Sequence, residues 1–292
     1  FVNISSLGNA KAFGELTTGQ SSYGCASEIR GLWSGGYSNP NSVIDYVTIA
    51  SEGNAIAFGN LSVTRKAPAA TSSSTRGIIM GGYHPSPARY IDEIEHVTIS
   101  SSGGANHFGD LLFTSGWSGS CSNNIRGVHA GDWGTATNAI NFITIATIGN
   151  ASNFGDLTLA RGNGMAGFSS RTRGVSAGGF DPTANYKRID FVTMSSGGDA
   201  TNFGSLTSNR EGPMGLSNET RGIAAAGWSR PNSNNIQEID FVTIATAADS
   251  LDFGDLITPT NYGAGAASPT RGLLIAGNIP APGDMYNRIE FI

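Results

Sequence analysis

The sequence predicts an all-β fold, a six-bladed β-propeller with four antiparallel strands per blade. Three observations carry that prediction. One phrase recurs six times, its period suits a four-stranded blade, and the chain begins and ends inside it. Phe-Gly pairs fall at Phe13, Phe58, Phe108, Phe154, Phe203 and Phe253, and Arg-Gly pairs at Arg30, Arg76, Arg126, Arg173, Arg221 and Arg271, 17 to 19 residues later. A third anchor, Ile before an acidic or amide residue, falls at Ile44, Ile94, Ile140, Ile189, Ile239 and Ile289. Wherever a Phe-Gly follows this Ile, it lies 14 residues on, whereas the stretch from Arg-Gly to Ile varies from 14 to 18. The unit is therefore about 45 to 50 residues with one elastic segment. No window sustains a 3.6-residue period, so almost no helix is expected.

Each unit reads in order as four short strands. The first is small and apolar, as in "APAATS" from Ala67 or "YGAGAAS" from Tyr262, which suits crowding at a ring axis. A Ser/Asn-x-x-Arg-Gly turn follows, in which Ser or Asn bonds its own backbone and Gly is expected to supply a positive φ. The second strand, "GIIMGGY", ends in a Gly pair or its remnant and leads into the elastic loop. The third, "IDYVTIA", is β-branched and aromatic. An x-Gly-Asn-Ala turn closes the hairpin onto the fourth strand, "FGDLT". The closing "RIEFI" matches the front of the third strand and the opening "FVNI" its back, with a two-residue overlap. Both termini should therefore share the last blade, with the donor of its third strand left open. Residues 1–292 read as one propeller domain, and a start at Phe1 inside the phrase is expected of an excerpt from a longer chain.

Composition narrows the function classes. Gly is 41 of 292 residues, in register with the repeat, and charged residues are only 13%. A formal net charge of −5 argues against a nucleic-acid-binding surface. The uncharged stretches are broken by Gly, Ser and Asn, so none reads as a membrane span. Cys25 and Cys121 share one slot, five residues before the Arg-Gly pair, where other units place Thr71, Phe168, Leu216 and Ala266. Both are expected to be buried free thiols, which leaves the redox compartment open.

The stretches "GIIMGGY … IEHVTI … FGDLLFT" and "GVSAGGF … IDFVTM … FGSLTSNR" resemble kelch repeats: four hydrophobics, a double Gly, two spaced aromatics and an Arg. Tyr46, His96, Phe142, Phe191 and Phe241 take the first aromatic slot, Phe stands for the usual Trp in the second, and the trailing Arg survives at Arg65, Arg161 and Arg210. The double Gly is intact at Gly35-Gly36, Gly81-Gly82 and Gly178-Gly179. This resemblance implies the propeller and says little of function. The wording "VTIAS-GNA-FGDLT-TRG" also resembles repeats in virion and tail proteins of marine bacteriophages. That resemblance implies a tail-fibre or surface-decoration domain at the virion surface, in an extracellular setting. Its expected partners are a host surface glycan or receptor protein, other virion proteins and further copies of itself.

Chemistry-bearing patterns are sparse. His84, His96, His107 and His129 lie on different strands or loops without ligand spacing, so no metal or cofactor is expected. No catalytic residue is indicated. The Arg-Gly arginines (Arg30, Arg76, Arg126, Arg173, Arg221 and Arg271) would ring one channel mouth. Their presence in every unit favours bonds to turn carbonyls over an anion site. The residues after each Ile (Asp45, Glu95, Asn141, Asp190, Asp240 and Glu290) are expected to accept bonds from backbone donors of an adjacent loop. Variation concentrates in the elastic loops and the connections between blades, which fall on one face of the ring. There an aromatic follows the double-Gly slot at Tyr37, Tyr83, Trp133, Phe180 and Trp228, and the sixth unit has Asn278. Together with His84, Trp117, Arg230 and Tyr262 these make the candidate ligand-binding set. The reading is a non-catalytic recognition module. An assembly subunit and a carbohydrate-active enzyme are the alternatives.

Overall fold

Six blades of four antiparallel strands follow one another around a ring, with a short extra strand, Tyr83–Pro85, added to the blade 2 sheet and a two-stranded ribbon, Phe180–Asp181 with Ala184–Asn185, in the blade 4 loop. Each blade runs from an innermost to an outermost strand. Blade 1 comprises Tyr23–Ala26, Arg30–Ser34, Asn41–Thr48 and Ile56–Arg65. Blade 2 comprises Ala69–Ser72, Arg76–Met80, Ala88–Thr98 and Asn106–Ser115, and blade 3 Gly119–Ser122, Arg126–Ala130, Ala139–Thr144 and Ser152–Asp156. Blade 4 comprises Ala166–Ser169, Arg173–Ala177, Arg188–Thr193 and Thr201–Ser205, and blade 5 Met214–Ser217, Arg221–Ser229, Asn234–Thr243 and Leu251–Thr260. Blade 6 takes Ala264–Ala267, Gly272–Ile275 and Arg288–Phe291 from the C-terminus and its outermost strand, Lys11–Glu15, from the N-terminus. This computed structural model describes residues 4–17, 23–36, 41–133, 137–181, 184–275, 277–278 and 287–292, among which there is no helix.

The shared blade settles which terminus gives which strand. Lys11 pairs with Phe291 and Glu15 with Arg288, so the C-terminus supplies the third strand and the N-terminus the fourth. Ile4 then occupies the slot that Ile49 and Ile99 hold in blades 1 and 2, and donates its N–H to Thr270 O at 3.3 Å.

Alternation along the strands puts one face of each blade against the next. Cys25, Leu32, Ile44, Phe58 and Leu61 of blade 1 pack with Ile79, Val97 and Ile99 of blade 2, and equivalent clusters fill the other interfaces. The Phe-Gly motif belongs to this contact. The turn before the fourth strand lies along the preceding blade's outermost strand: Gly103 N–H donates to Phe58 O at 2.9 Å and Ala105 N–H to Asn60 O at 2.8 Å. A Cβ on Gly59 would lie 2.0 Å from Gly103 O, and one on Gly14, Gly109 or Gly204 would lie 2.1, 2.3 or 2.3 Å from the matching carbonyl. The turn Asn or Asp completes the clasp, as where Asn150 Oδ1 accepts from Asp110 N–H at 3.0 Å and Asp199 Oδ1 from Asp156 N–H at 3.0 Å.

The Arg-Gly glycine differs from expectation. None of Gly31, Gly77, Gly127, Gly174, Gly222 or Gly272 has a positive φ. Its role is to leave room for a neighbour: a Cβ on Gly77 would meet Cys25 Sγ at 2.9 Å, one on Gly174 would meet Cys121 Sγ at 2.6 Å, and one on Gly222 would meet the Phe168 ring at 2.1 Å. The two cysteines are accordingly buried free thiols wedged against the next blade's glycine. Burial pushes both thiols up to about 12.

At the axis the first strands enclose a channel of about 570 Å³. Ser hydroxyls stitch neighbouring first strands together. Ser72 Oγ donates to Ala26 O at 2.6 Å, Ser122 Oγ to Ser72 O at 2.6 Å, Ser169 Oγ to Ser122 O at 2.6 Å and Ser217 Oγ to Ser169 O at 2.8 Å. Blades 6 and 1 carry Ala267 and Ala26 in the same slot, so the belt lacks two links at the seam.

Two stability outcomes follow from this packing. Gly59→Ala should lose about 3 kcal/mol in denaturant titration. Gly103→Ala, with nothing within 4 Å of its Cβ, should stay close to wild type; equal losses would refute the clasp. Ala26→Ser with Ala267→Ser should complete the belt and raise stability by about 1 kcal/mol per added bond; an unchanged or lowered denaturation midpoint would count against it.

Candidate functional site

The polar residues repeated around the ring are engaged within it, except Asn141, whose buried side-chain amide has no hydrogen-bond partner among the described residues where a backbone donor is expected. Arg30 Nη1 donates to Ile99 O at 2.9 Å, Arg76 to Ile145 O at 2.7 Å and Arg126 to Met194 O at 2.9 Å. Arg173, Arg221 and Arg271 reach Ile244, Ile4 and Ile49 carbonyls at 2.9, 2.9 and 3.0 Å. Each bond crosses to the next blade. Five of these guanidinium groups also lie 4.4–4.9 Å over the first-slot aromatic of their own blade: Tyr46, Phe142, Phe191, Phe241 and Phe291. In blade 2 that slot is His96, whose pKa burial, and then Arg76, hold below its ordinary value.

The acid after Ile accepts backbone donors of the preceding blade, as at Thr17 N–H to Asp45 (3.1 Å), Ser62 N–H to Glu95 (2.8 Å) and Thr207 N–H to Asp240 (2.8 Å). In three blades it also pairs with the preceding blade's trailing Arg: Arg65 with Glu95, Arg161 with Asp190 at 2.8 Å and Arg210 with Asp240 at 3.4 Å, all buried. Between blades 2 and 3 both partners change together, to Ser115 and Asn141. The vacated volume holds His129, whose Nε2 lies 3.0 Å from Ser115 Oγ, with Ser118 Oγ 2.6 Å from Ser115 Oγ. Asp132 sits nearby and accepts from Gly116 N–H at 2.9 Å. The set has the residue types of a hydrolase triad, yet Ser115, His129 and Asp132 are 0%, 1% and 1% exposed. It fills an interface in place of an ion pair. Burial lowers the His129 imidazole to about 4, against a smaller opposing effect of Asp132.

The elastic loops and the connections between blades share the opposite end of the ring from the Arg-Gly turns. A backbone belt ties the connections together there. Trp117 N–H donates to Ala67 O at 3.0 Å, Gly164 N–H to Trp117 O at 2.7 Å, Gly212 N–H to Gly164 O at 2.9 Å and Tyr262 N–H to Gly212 O at 2.8 Å. Ala67, Trp117, Asn163 and Tyr262 take left-handed φ of 53–55° here, a conformation uncommon for residues other than Gly and Asn. Trp117 and Tyr262 are buried, and cluster with Ala67, Tyr23, Tyr83, Tyr90 and Trp133.

The structure sorts the sequence candidates on this face into two groups. In the first, Tyr83 meets Tyr90 edge-on with centroids 5.4 Å apart, Tyr90 meets Trp117 at 6.0 Å, and Lys66 Nζ stands 4.8 Å over Tyr83 and 5.5 Å over Trp117. In the second, Trp133 packs on Phe180 at 5.2 Å, and Arg230 lies 3.7 Å over the Phe180 ring. Arg230 Nε and Nη2 donate to Glu211 Oε2 at 3.3 and 3.4 Å. Glu211 also accepts from Tyr262 and Asn163 side chains, and burial raises its pKa against all three. Backbone bridges fix the slot after the double Gly: Tyr83 pairs with Lys66, Phe180 with Gly162 and Trp228 with Glu211. Phe180 is buried, whereas Tyr83, Trp133 and Trp228 are half-buried and Arg230 is exposed. His84 is half-buried, and its Nδ1 accepts from Ser86 N–H at 3.2 Å within its own loop. Tyr37 lies outside the described residues. Lys66, Tyr90, Asn163 and Glu211 joined these groups without having been singled out from sequence. The one signal for Glu211 is an acid where the other blades place Lys66, Gly116, Gly162 and Asn261.

The ring resembles a solved structure, that of YjhT. The match has a TM-score of 0.76 at 9% identity, over 94% of this chain and 96% of that one. At that identity the likeness establishes the propeller fold alone. No family model matches the chain, and no curated protein matches it.

His129 gives a pH signature. The unfolded imidazole protonates near 6.5 and the folded one near 4, so acidification through that window protonates only the unfolded chain. This group's contribution is whole above pH 6.5 and falls by ~3 kcal/mol on approaching pH 4. Asp45, Glu211 and Glu290, which burial raises, act in the opposite sense. Urea titrations from pH 4 to 7 should therefore show wild type losing more stability on acidification than His129→Asn. Parallel curves would contradict the assignment.

Proposed function

We propose that the chain is a non-catalytic recognition module that binds a host surface glycan or receptor protein through the loop face, as a tail-fibre or surface-decoration domain of a bacteriophage virion. The observation that carries the recognition reading is a division of labour in the ring. The Phe-Gly glycines, the Arg-Gly pairs and the acid slots, which recur around the ring, all serve contacts between blades. The residues that differ from blade to blade gather at one end, where Tyr83, Trp133 and Trp228 are half-buried beside Lys66, Arg230 and Glu211. A rigid ring with variable loops at one end is a common way to build a binding surface. Half-buried aromatics beside polar groups suit sugar rings and protein side chains alike. The virion setting rests on the resemblance of the repeat wording to phage tail proteins.

A second reading, an assembly subunit, is favoured by the opposite end. Leu7, Ile29, Ile56, Ile125, Ile148 and Leu251 are exposed large apolar residues in or beside the short turns there. Contacts with other virion proteins or a further copy of the chain would cover them. The two readings combine in a domain that docks by its turn end and recognises by its loop end.

Glycan-array binding of the intact chain, beside Trp133→Ala and Trp228→Ala, tests the reading. We expect specific binding by wild type and at least tenfold weaker binding by the variants, with both variants still folded by circular dichroism. Binding that survives both substitutions would move recognition off this face. Absence of any glycan signal would shift the partner to protein.

A further inference from the structure

Glu211 stands apart from the repeated buried acids of the ring. Asp45, Glu95, Asp190, Asp240 and Glu290 occupy the slot after Ile and serve the interface between blades, and Asp132 accepts from Gly116 N–H, whereas Glu211 occupies a slot that other blades fill with Lys66, Gly116, Gly162 and Asn261. The fold does not need a carboxylate there. Nevertheless three other segments converge on it. Asn163 comes from the connection between blades 3 and 4, Tyr262 from that between blades 5 and 6, and Arg230 from the blade 5 loop, while Glu211 itself lies between blades 4 and 5.

Asn163 and Tyr262 hold left-handed φ of 54° and 53°, the backbone state that Ala67, Trp117 and Gly212 share in the equivalent connections. Tyr262 reaches Glu211 by crossing over Gly212 and Gly164. A Cβ on Gly212 would come 2.9 Å from the Tyr262 ring, and one on Gly164 would come 3.1 Å from it. Glycine at both positions is thus a condition of the contact. Arg230 is fixed from two sides, by the Phe180 ring 3.7 Å away and by Glu211. Its side chain is 47% exposed against 7% for Glu211, and both of its bonds to the carboxylate are long. Trp228, held to Glu211 by a backbone bridge, and Trp133, packed on Phe180, are the half-buried rings beside the pair.

We propose that Glu211 and Arg230 form the polar centre of a subsite for a neutral pyranose bearing adjacent hydroxyls. Arg230 donates to one hydroxyl oxygen, and Glu211 accepts from the neighbouring hydroxyl. An apolar face of the sugar rests against Trp228 or Trp133. A donor and an acceptor side by side, together neutral, match a diol better than a carboxylate, which Glu211 would repel. Tyr262 and Asn163 act as positioning residues through Glu211. The inference rests on the recognition reading above and names its ligand class.

The test is saturation-transfer NMR and calorimetry on the intact chain with a panel of methyl pyranosides of neutral hexoses and N-acetylhexosamines, and glucuronic acid as the charged control. We expect at least one neutral glycoside to bind, glucuronic acid to bind more weakly, and Glu211→Gln to lose about tenfold in affinity. Tyr262→Phe, which removes only the hydroxyl that reaches Glu211, should lose a few-fold with the melting temperature held, and serves if Glu211→Gln fails to fold. Wild-type affinity in a folded Glu211→Gln or Tyr262→Phe overturns the subsite. If Trp133→Ala still abolishes array binding in that case, the recognition reading stands without it. Preference for glucuronic acid, lost in Arg230→Ala, would make the site an anion site and also overturn the proposal. No binding to any sugar of the panel overturns it as well, and leaves protein recognition by the loop face.

Discussion

The closeness of the blades at their outer strands governs much else in this ring. The short turn of one blade lies along the last strand of its neighbour, near enough that its carbonyl occupies the place of a side chain at Gly59 and Gly14. Once that spacing is set, the Phe beside each glycine is buried and the turn Asn or Asp meets a backbone donor. The same approach leaves the Arg-Gly guanidinium within reach of a carbonyl in the next blade. Crowding at the axis is the other face of that geometry. A Cβ on Gly167 would fall 1.8 Å from Ser120 O, so the first strands have to be small. The seam between the termini follows the same rule, since Lys11–Glu15 and Arg288–Phe291 pair as any third and fourth strands do.

Much of this architecture is legible in the sequence alone. Period, strand order, the elastic segment and the shared last blade all follow from residues at fixed offsets. The glycine of Arg-Gly was harder to read, because its reason is the Cys25 or Phe168 side chain of another blade and not its own φ. Pairs such as Arg161 with Asp190 join positions 29 residues apart in different blades, and a count within one unit cannot see them. Ser115, His129 and Asn141 form one coordinated change across an interface, yet each alone reads as drift from the repeat. On the loop face the aromatic slots were visible but their burial was not. The left-handed backbone at Trp117 and Tyr262 accompanies rings packed into a buried cluster instead of standing in solvent. Glu211 carried only the weak signal of an acid out of place.

The two ends of the ring consequently carry different constraints. At the turn end, bonds between blades repeat with little variation, and change there would disturb a neighbour on either side. At the loop end, the backbone belt from Ala67 to Tyr262 holds the connections while their side chains differ. A scaffold of this kind lets loop sequences diverge at small cost to folding, which favours recognition surfaces that must change with their partner.

The two thiols turn this spacing into something observable. Cys25 Sγ is lodged against Gly77 of blade 2 and Cys121 Sγ against Gly174 of blade 4, and both resist ionisation. A thiol reagent at neutral pH therefore finds no reactive sulfur in the closed ring. Alkylation requires blades 1 and 2, or 3 and 4, to part. The native chain thus carries two chemical clocks for local opening, each reporting how often one particular interface breathes.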